Sequence, residues 1–190
     1  NQRPEDLDYG LSGAAITCSD SIVLLYFKHL RTAVKPPYNR LRVYHNTGLF
    51  PYDLNFGDQE LLVTEVAYFP ELGYTEINFS DHLDSLDLMF TKNIAEAFEM
   101  ELYGIEFLNE LPGIRYTAIG INGASLPTYL ANNNFSRDLE LSPPDLFIFS
   151  VGTNYAHCSY EAFSPKTYKE NLEKMIQLVL QSNPKCAILL

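Results

Sequence analysis

Tryptophan is absent from these 190 residues, and cysteine occurs three times, as Cys18, Cys158 and Cys186, with no Cys-x-x-Cys pair. That spacing offers neither a zinc ribbon nor a dithiol redox motif. Cations are also scarce: 13 Lys and Arg stand against 24 Asp and Glu, a formal net charge of -11. Nucleic acid and anionic membranes both demand a cationic footprint, so this balance argues against either partner. No apolar run approaches the roughly 18 residues that a spanning helix requires, so membrane insertion is not expected. The chain opens at Asn1 without Met or an apolar leader, which reads as a mature form or an excised piece.

What is plentiful is aromatic and strand-forming. Tyr occurs 13 times and Phe 12 times, rings that pack well on a pleated surface. From Tyr9 to about Glu110 short runs at Ala14 to Cys18, Ile22 to Phe27, Arg40 to His45, Tyr52 to Phe56, Leu61 to Phe69, Tyr74 to Phe79, Ser85 to Thr91 and Phe98 to Leu108 are separated by turn residues such as Pro36-Pro37 and Asn46-Thr47-Gly48. That is sandwich spacing. Alternation places Thr75, Ile77 and Phe79 on one face, and likewise Leu86, Leu88 and Phe90. In the last run Phe98, Met100 and Leu102 alternate, and the phase slips at Gly104, the mark of a bulge.

After Pro112-Gly113 the pattern changes. Ile114 to Ile119 reads as a strand, Thr128 to Leu139 as a weak helix or loop, and Leu146 to Val151 as an apolar strand covered on both faces. Ser164-Pro165 supplies a cap and a first-turn proline for a helix whose stripe is Tyr168, Leu172, Met175, Ile176, Val179 and Leu180. Asn183-Pro184 stops it, and Cys186 to Leu190 begins another buried strand, completing a βαβ unit. A parallel sheet of about three strands could hardly bury both faces by itself, so the chain is expected to be a segment of something larger.

Two glycine turns follow hydrophobic runs: Gly120-Ile121-Asn122-Gly123-Ala124-Ser125, and Gly152-Thr153-Asn154 after Leu146 to Val151. Open α/β sheets bind ligands where parallel strands end. These motifs resemble the second and third blocks of the SGNH (GDSL-type) hydrolases over residues 111 to 190. With Tyr9-Gly10-Leu11-Ser12-Gly13-Ala14-Ala15 and Gly104-Ile105-Glu106, the chain resembles bacterial SGNH esterases that carry a β-sandwich insert between their first and second blocks.

The resemblance implies a fold of mixed class: a jelly-roll-like β-sandwich insert over residues 1–110, and over 111–190 the central part of a flavodoxin-like three-layer α/β/α hydrolase domain. It implies a secreted or periplasmic serine ester hydrolase that removes O-acetyl groups from cell-wall or other glycans, with no cofactor and no metal. Gly123 and Asn154 become the oxyanion donors, and Asn122, Ser125, Thr153 and Tyr155 substrate contacts. The 31 positions between Gly123 and Asn154 (154 minus 123) accommodate one helix or loop and a strand. Attack on an ester creates an oxyanion, and N–H donors must await it; glycine lets backbone approach closely, and asparagine donates without charge.

The chain departs from the family at its other two blocks. No Gly-Asp-Ser occurs, no His stands three residues after an Asp, and Tyr155 occupies a position often acidic in the family. The nucleophile and base are expected from the rest of a parent chain. Cys18-Ser19-Asp20-Ser21 lies one glycine short of the first block, yet a strand pattern follows Ser21 where a helix should open, so a β-turn is the favoured reading. His157 reads as a loop histidine, His29 and His45 as structural, and Asp81-His82 with Asp84 and Asp87 as a solvated turn. An alternative function is a non-catalytic carbohydrate-binding sandwich, with Tyr38, Tyr44, Tyr52, Tyr68 and Tyr74 available for sugar stacking, although packing is the expected role for most of them. A structural domain without ligand is the blandest option.

Overall fold

The computed structural model describes residues 10–11, 13–28, 38–48, 50–94, 99–120, 123–156, 159 and 163–190. The chain divides into two compact units, one of residues Ala15–Tyr116, the other of the described residues up to Ala14 together with Thr117–Leu190.

The unit over Ala15–Tyr116 consists of two antiparallel sheets. Strands β1 (Ile16–Cys18), β3 (Tyr38–His45), β5 (Val63–Phe69), β6 (Tyr74–Leu83) and β8 (Met100–Leu108) form the larger, in the order β1-β8-β3-β6-β5. The smaller holds β2 (Ile22–Lys28), β7 (Ser85–Lys92) and β4 (Tyr52–Asn55), in the order β2-β7-β4. Period-two patterning dictates which side chains meet between them: Leu41, Val43, Ile77 and Phe79 from one sheet, Leu86, Leu88 and Phe90 from the other, all in one buried cluster. The slip at Gly104 appears as an irregularity in the β3–β8 ladder, where Tyr44 pairs with Gly104 but His45 with Leu102. His45, fully buried, keeps both ring nitrogens within bonding distance of an oxygen: Nδ1 lies 2.8 Å from the Asn46 carbonyl and Nε2 2.9 Å from the Thr75 hydroxyl.

The outer face of the larger sheet is polar and cross-linked. Arg42 donates to Glu76 at 2.8 Å, and the Tyr44 hydroxyl donates to Glu106 at 3.0 Å. Burial raises the Tyr44 hydroxyl to about 12; Arg42 works against the rise and Glu106 adds to it. Burial, helped by the negative charge of Asp84, likewise takes Tyr38 to about 12. Both folded values lie above the ordinary tyrosine value near 10. The stability these groups contribute is therefore fully present below pH ~10 and lost as pH rises toward 12. A tyrosinate absorbance titration is expected to show ionisation delayed toward pH 12 and coincident with unfolding; complete ionisation near pH 10 with the fold intact would contradict the burial of these rings.

The other unit holds helices α1 (Leu126–Leu130), α2 (Phe135–Leu141), α3 (Thr153–Ala156) and α4 (Pro165–Ser182), and a parallel pair, β9 (Leu146–Ile148) with β10 (Ala187–Leu189). Ser164 caps α4 by accepting from the Thr167 N–H at 3.2 Å, and Met175 and Val179 of its stripe are buried with Leu126, Phe135, Leu139 and Phe149. The amide of Asn132 donates to the Gly10 carbonyl at 3.1 Å, tying Gly10 into this unit.

The expected fold class is corrected by this arrangement. Ten strands in three sheets, two of them antiparallel, make the described residues β-rich, and no three-layer α/β/α domain forms among them. The expected strand Ile114 to Ile119 has no regular structure; Ile114 and Tyr116 are 99% and 84% exposed. Leu146 to Val151 is covered on one face only: Phe147 and Phe149 pack toward the helices, whereas Leu146, Ile148 and Leu189 are about half exposed. The cause is strand count. Apolar composition marks a run as sheet-forming, but a face is covered only where a second layer reaches it, and two three-residue strands present too little surface to hold one.

Candidate active site

The two glycine turns occupy the same unit as the parallel pair. Gly123 has φ +79°, a left-handed conformation that glycine adopts without penalty, and a β-carbon added there would meet nothing within 4 Å. Gly123 is exposed, and no acceptor takes its N–H among the described residues. Thirty residues along the chain, the Asn154 side-chain amide donates to the carbonyl of Ala124 at 2.6 Å. That contact seats the amide of one turn against the residue that follows the glycine of the other.

Local sequence explains how Asn154 arrives there. Gly152, at φ +149°, turns the chain out of the apolar run, and its carbonyl accepts from the N–H groups of Tyr155 and Ala156 at 2.9 and 3.0 Å, starting α3. Behind it the Tyr155 ring packs edge-on against Tyr168 at 4.8 Å and Phe163 at 5.9 Å, while the Tyr168 hydroxyl donates to the Val151 carbonyl at 3.3 Å. Rigid aromatic packing thus backs the short helix that carries Asn154. The Tyr155 hydroxyl is buried and has no hydrogen-bond partner among the described residues.

The remaining expected site residues fall into different places. Ser125 precedes α1 as its cap: its N–H donates to the Thr128 hydroxyl at 3.2 Å, and the two hydroxyls lie 3.3 Å apart. Thr153 is exposed at the first position of α3, and Tyr155 is half-buried in the aromatic cluster. Asn122, His157 and His29 lie outside the described residues. Ser21 belongs to the other unit, exposed before strand β2, with its carbonyl accepting the Lys92 N–H at 2.8 Å. No helix opens after it.

Among the described residues no group of three or more His, Cys, Asp or Glu gathers around a common point. Asp81 and His82 are exposed near the β6–β7 turn, where the Asp81 carboxylate accepts the His82 N–H at 2.7 Å. Of the five tyrosines available for stacking, Tyr38, Tyr52 and Tyr74 are buried, Tyr44 is half-buried, and Tyr68 is 52% exposed. Buried Asp138 is the charged group sequence reasoning passed over: Arg137 donates to it at 2.7 and 3.0 Å, and burial pushes its carboxyl up against that partner's pull. The Ala124 carbonyl was equally illegible, because a main-chain acceptor carries no residue-type signal.

No protein-family model matches the chain, and no curated protein sequence matches it. No helix of the described residues is long and apolar enough to cross a membrane.

Proposed function

We propose that this chain is part of an SGNH-type serine ester hydrolase acting on O-acetylated glycans, in which the Gly123 N–H and the Asn154 amide hold the oxyanion. What supports this is one contact: the 2.6 Å bond from Asn154 to the Ala124 carbonyl, which brings together the two motifs that the family's second and third blocks would supply. An acyl-transfer intermediate places negative charge on a carbonyl oxygen, and donors fixed beforehand stabilise it without reorganisation. The acidic surface suits an uncharged ester substrate, and a glycan-acting esterase of this kind works outside the cytoplasm.

The Gly-Asp-Ser and Asp-x-x-His blocks needed to generate and deprotonate a nucleophile are missing from these residues. Accordingly the 190-residue polypeptide is expected to hydrolyse an aryl acetate no faster than background, whereas a native precursor carrying both blocks turns it over. Robust turnover by the 190 residues that Ser21→Ala abolishes would move the nucleophile to Ser21 and sink this assignment. A precursor with neither block would remove the esterase reading altogether.

A further inference from the structure

The Asn154 amide rides on α3, which has four residues, and a helix that short is not stable by itself in water. Something else must hold it. Its entry supplies little, because Gly152 stands at φ +149° and a β-carbon added there would meet nothing within 4 Å. The bonds from the Tyr155 and Ala156 N–H groups to the Gly152 carbonyl close the turn but tie α3 only to its own start. Thr153, Asn154 and Ala156 are exposed; of the four side chains, Tyr155 is the one drawn under cover.

Two other rings hold the Tyr155 ring. It meets Tyr168 at 4.8 Å with the planes 87° apart, and Phe163 at 5.9 Å and 67°, both in the edge-on arrangement that aromatic quadrupoles favour. Tyr168 closes the first turn of α4 through its N–H to the Ser164 carbonyl at 3.0 Å, and α4 is an 18-residue helix seated by buried Met175 and Val179. The ring on the short helix thus bears on a long, anchored one. On the acceptor side, Ala124 directly precedes Ser125, the cap of α1, whose Leu126 is fully buried. Both halves of the 2.6 Å contact are mounted on buried structure, and Tyr155 is a mount on the amide's side.

We infer that Tyr155 is a positioning residue, whose ring, wedged against Tyr168 and Phe163, sets the Asn154 amide on the Ala124 carbonyl beside the Gly123 turn; its bearing on turnover rests on the esterase reading above. This is a different role from the substrate contact that the family resemblance implies for Tyr155. A substrate contact needs an accessible hydroxyl, and this one is buried. It takes no hydrogen-bond partner among the described residues, and a buried hydroxyl without one costs stability rather than adding to it. The ring is therefore the working part of the side chain, and a phenylalanine ring would serve equally.

Heteronuclear NMR of the isotope-labelled 190-residue chain tests this through the Asn154 side-chain amide, whose peaks are those lost in Asn154→Ala. Tyr155→Ala is expected to move them to the positions of a solvated asparagine, while the main-chain peaks of Met175 and Val179 stay in place. Tyr155→Phe, which keeps the ring, is expected to hold them where they are. Tyr155→Leu fills the space without an edge-on ring and should follow alanine, which keeps the test decisive should the alanine variant not fold. In a precursor carrying both missing blocks, Tyr155→Ala should lower kcat by about 10- to 100-fold at unchanged KM, the loss expected of a misplaced group, and Tyr155→Phe should recover most of it. Amide peaks unmoved in Tyr155→Ala and Tyr155→Leu, or moved as far by Tyr155→Phe, would overturn the inference. A precursor inert toward esters, with the peaks responding as expected, would leave the positioning role standing and remove the esterase reading instead.

Discussion

If Asn154 serves the proposed esterase as an oxyanion donor, replacing it with alanine in the complete parent chain is expected to lower kcat by about 100- to 1,000-fold, the loss typical when one such donor is removed. The effect should fall on kcat rather than KM, because in that role the amide would act where charge develops and not on the ground-state carbonyl. Stability is the control. Asn154 is exposed, so the variant should melt within about 1 kcal/mol of the parent. Asn154→Asp removes the donors and sets a carboxylate beside the Gly123 turn, so it should be at least as slow as the alanine variant. Unchanged turnover in both would remove Asn154 from the chemistry and leave it as a loop clamp.

The largest structural effect is expected from Phe90→Ala. Phe90 is fully buried on the central strand of the smaller sheet, paired with Val23 on one side and Leu54 on the other, and it meets Phe50 edge-on at 6.3 Å. Deleting a buried aromatic ring costs about 3–5 kcal/mol, since the transfer term is lost and the surrounding ladder cannot close the cavity. Urea unfolding should show this as a lower midpoint with an unchanged slope. Leu61→Ala is the contrast: Leu61 is 96% exposed, and its truncation should change stability by less than ~0.5 kcal/mol. Equal effects at the two positions would mean that the two sheets do not share the core described above.

Legibility in the sequence tracked the range over which each signal acts. Leu86, Leu88 and Phe90 alternate with Ser85, Asp87, Met89 and Thr91, and all three are fully buried. Ser164-Pro165 announces α4, and the helix begins at Pro165 with Ser164 as its cap. These are local matters of period, cap and turn chemistry. Ile114 to Ile119 has equally good strand composition and forms no strand, because a strand exists only when a neighbour accepts its hydrogen bonds, and composition does not say whether a neighbour is present. The candidate site was legible as two glycine turns and opaque as a contact. Gly123 declares its positive φ by residue type, whereas the Asn154 bond to Ala124 joins a side chain to a main-chain atom 30 residues away.

Composition and period by themselves determined that this chain is strand-rich in its first part, that a capped amphipathic helix lies near its end, and that two glycine turns interrupt apolar runs. Tertiary structure alone decided that β2 pairs with β7 rather than with the nearby β1, that the turns at Gly123 and Asn154 meet, and that Leu146 and Ile148 of β9 and Ile22, Leu24 and Tyr26 of β2 stay exposed. Inward-facing positions follow from a repeat of two or 3.6 residues, which any short window contains. Partnership between distant segments depends instead on many weak contacts summed over the whole fold, and no short window holds that sum.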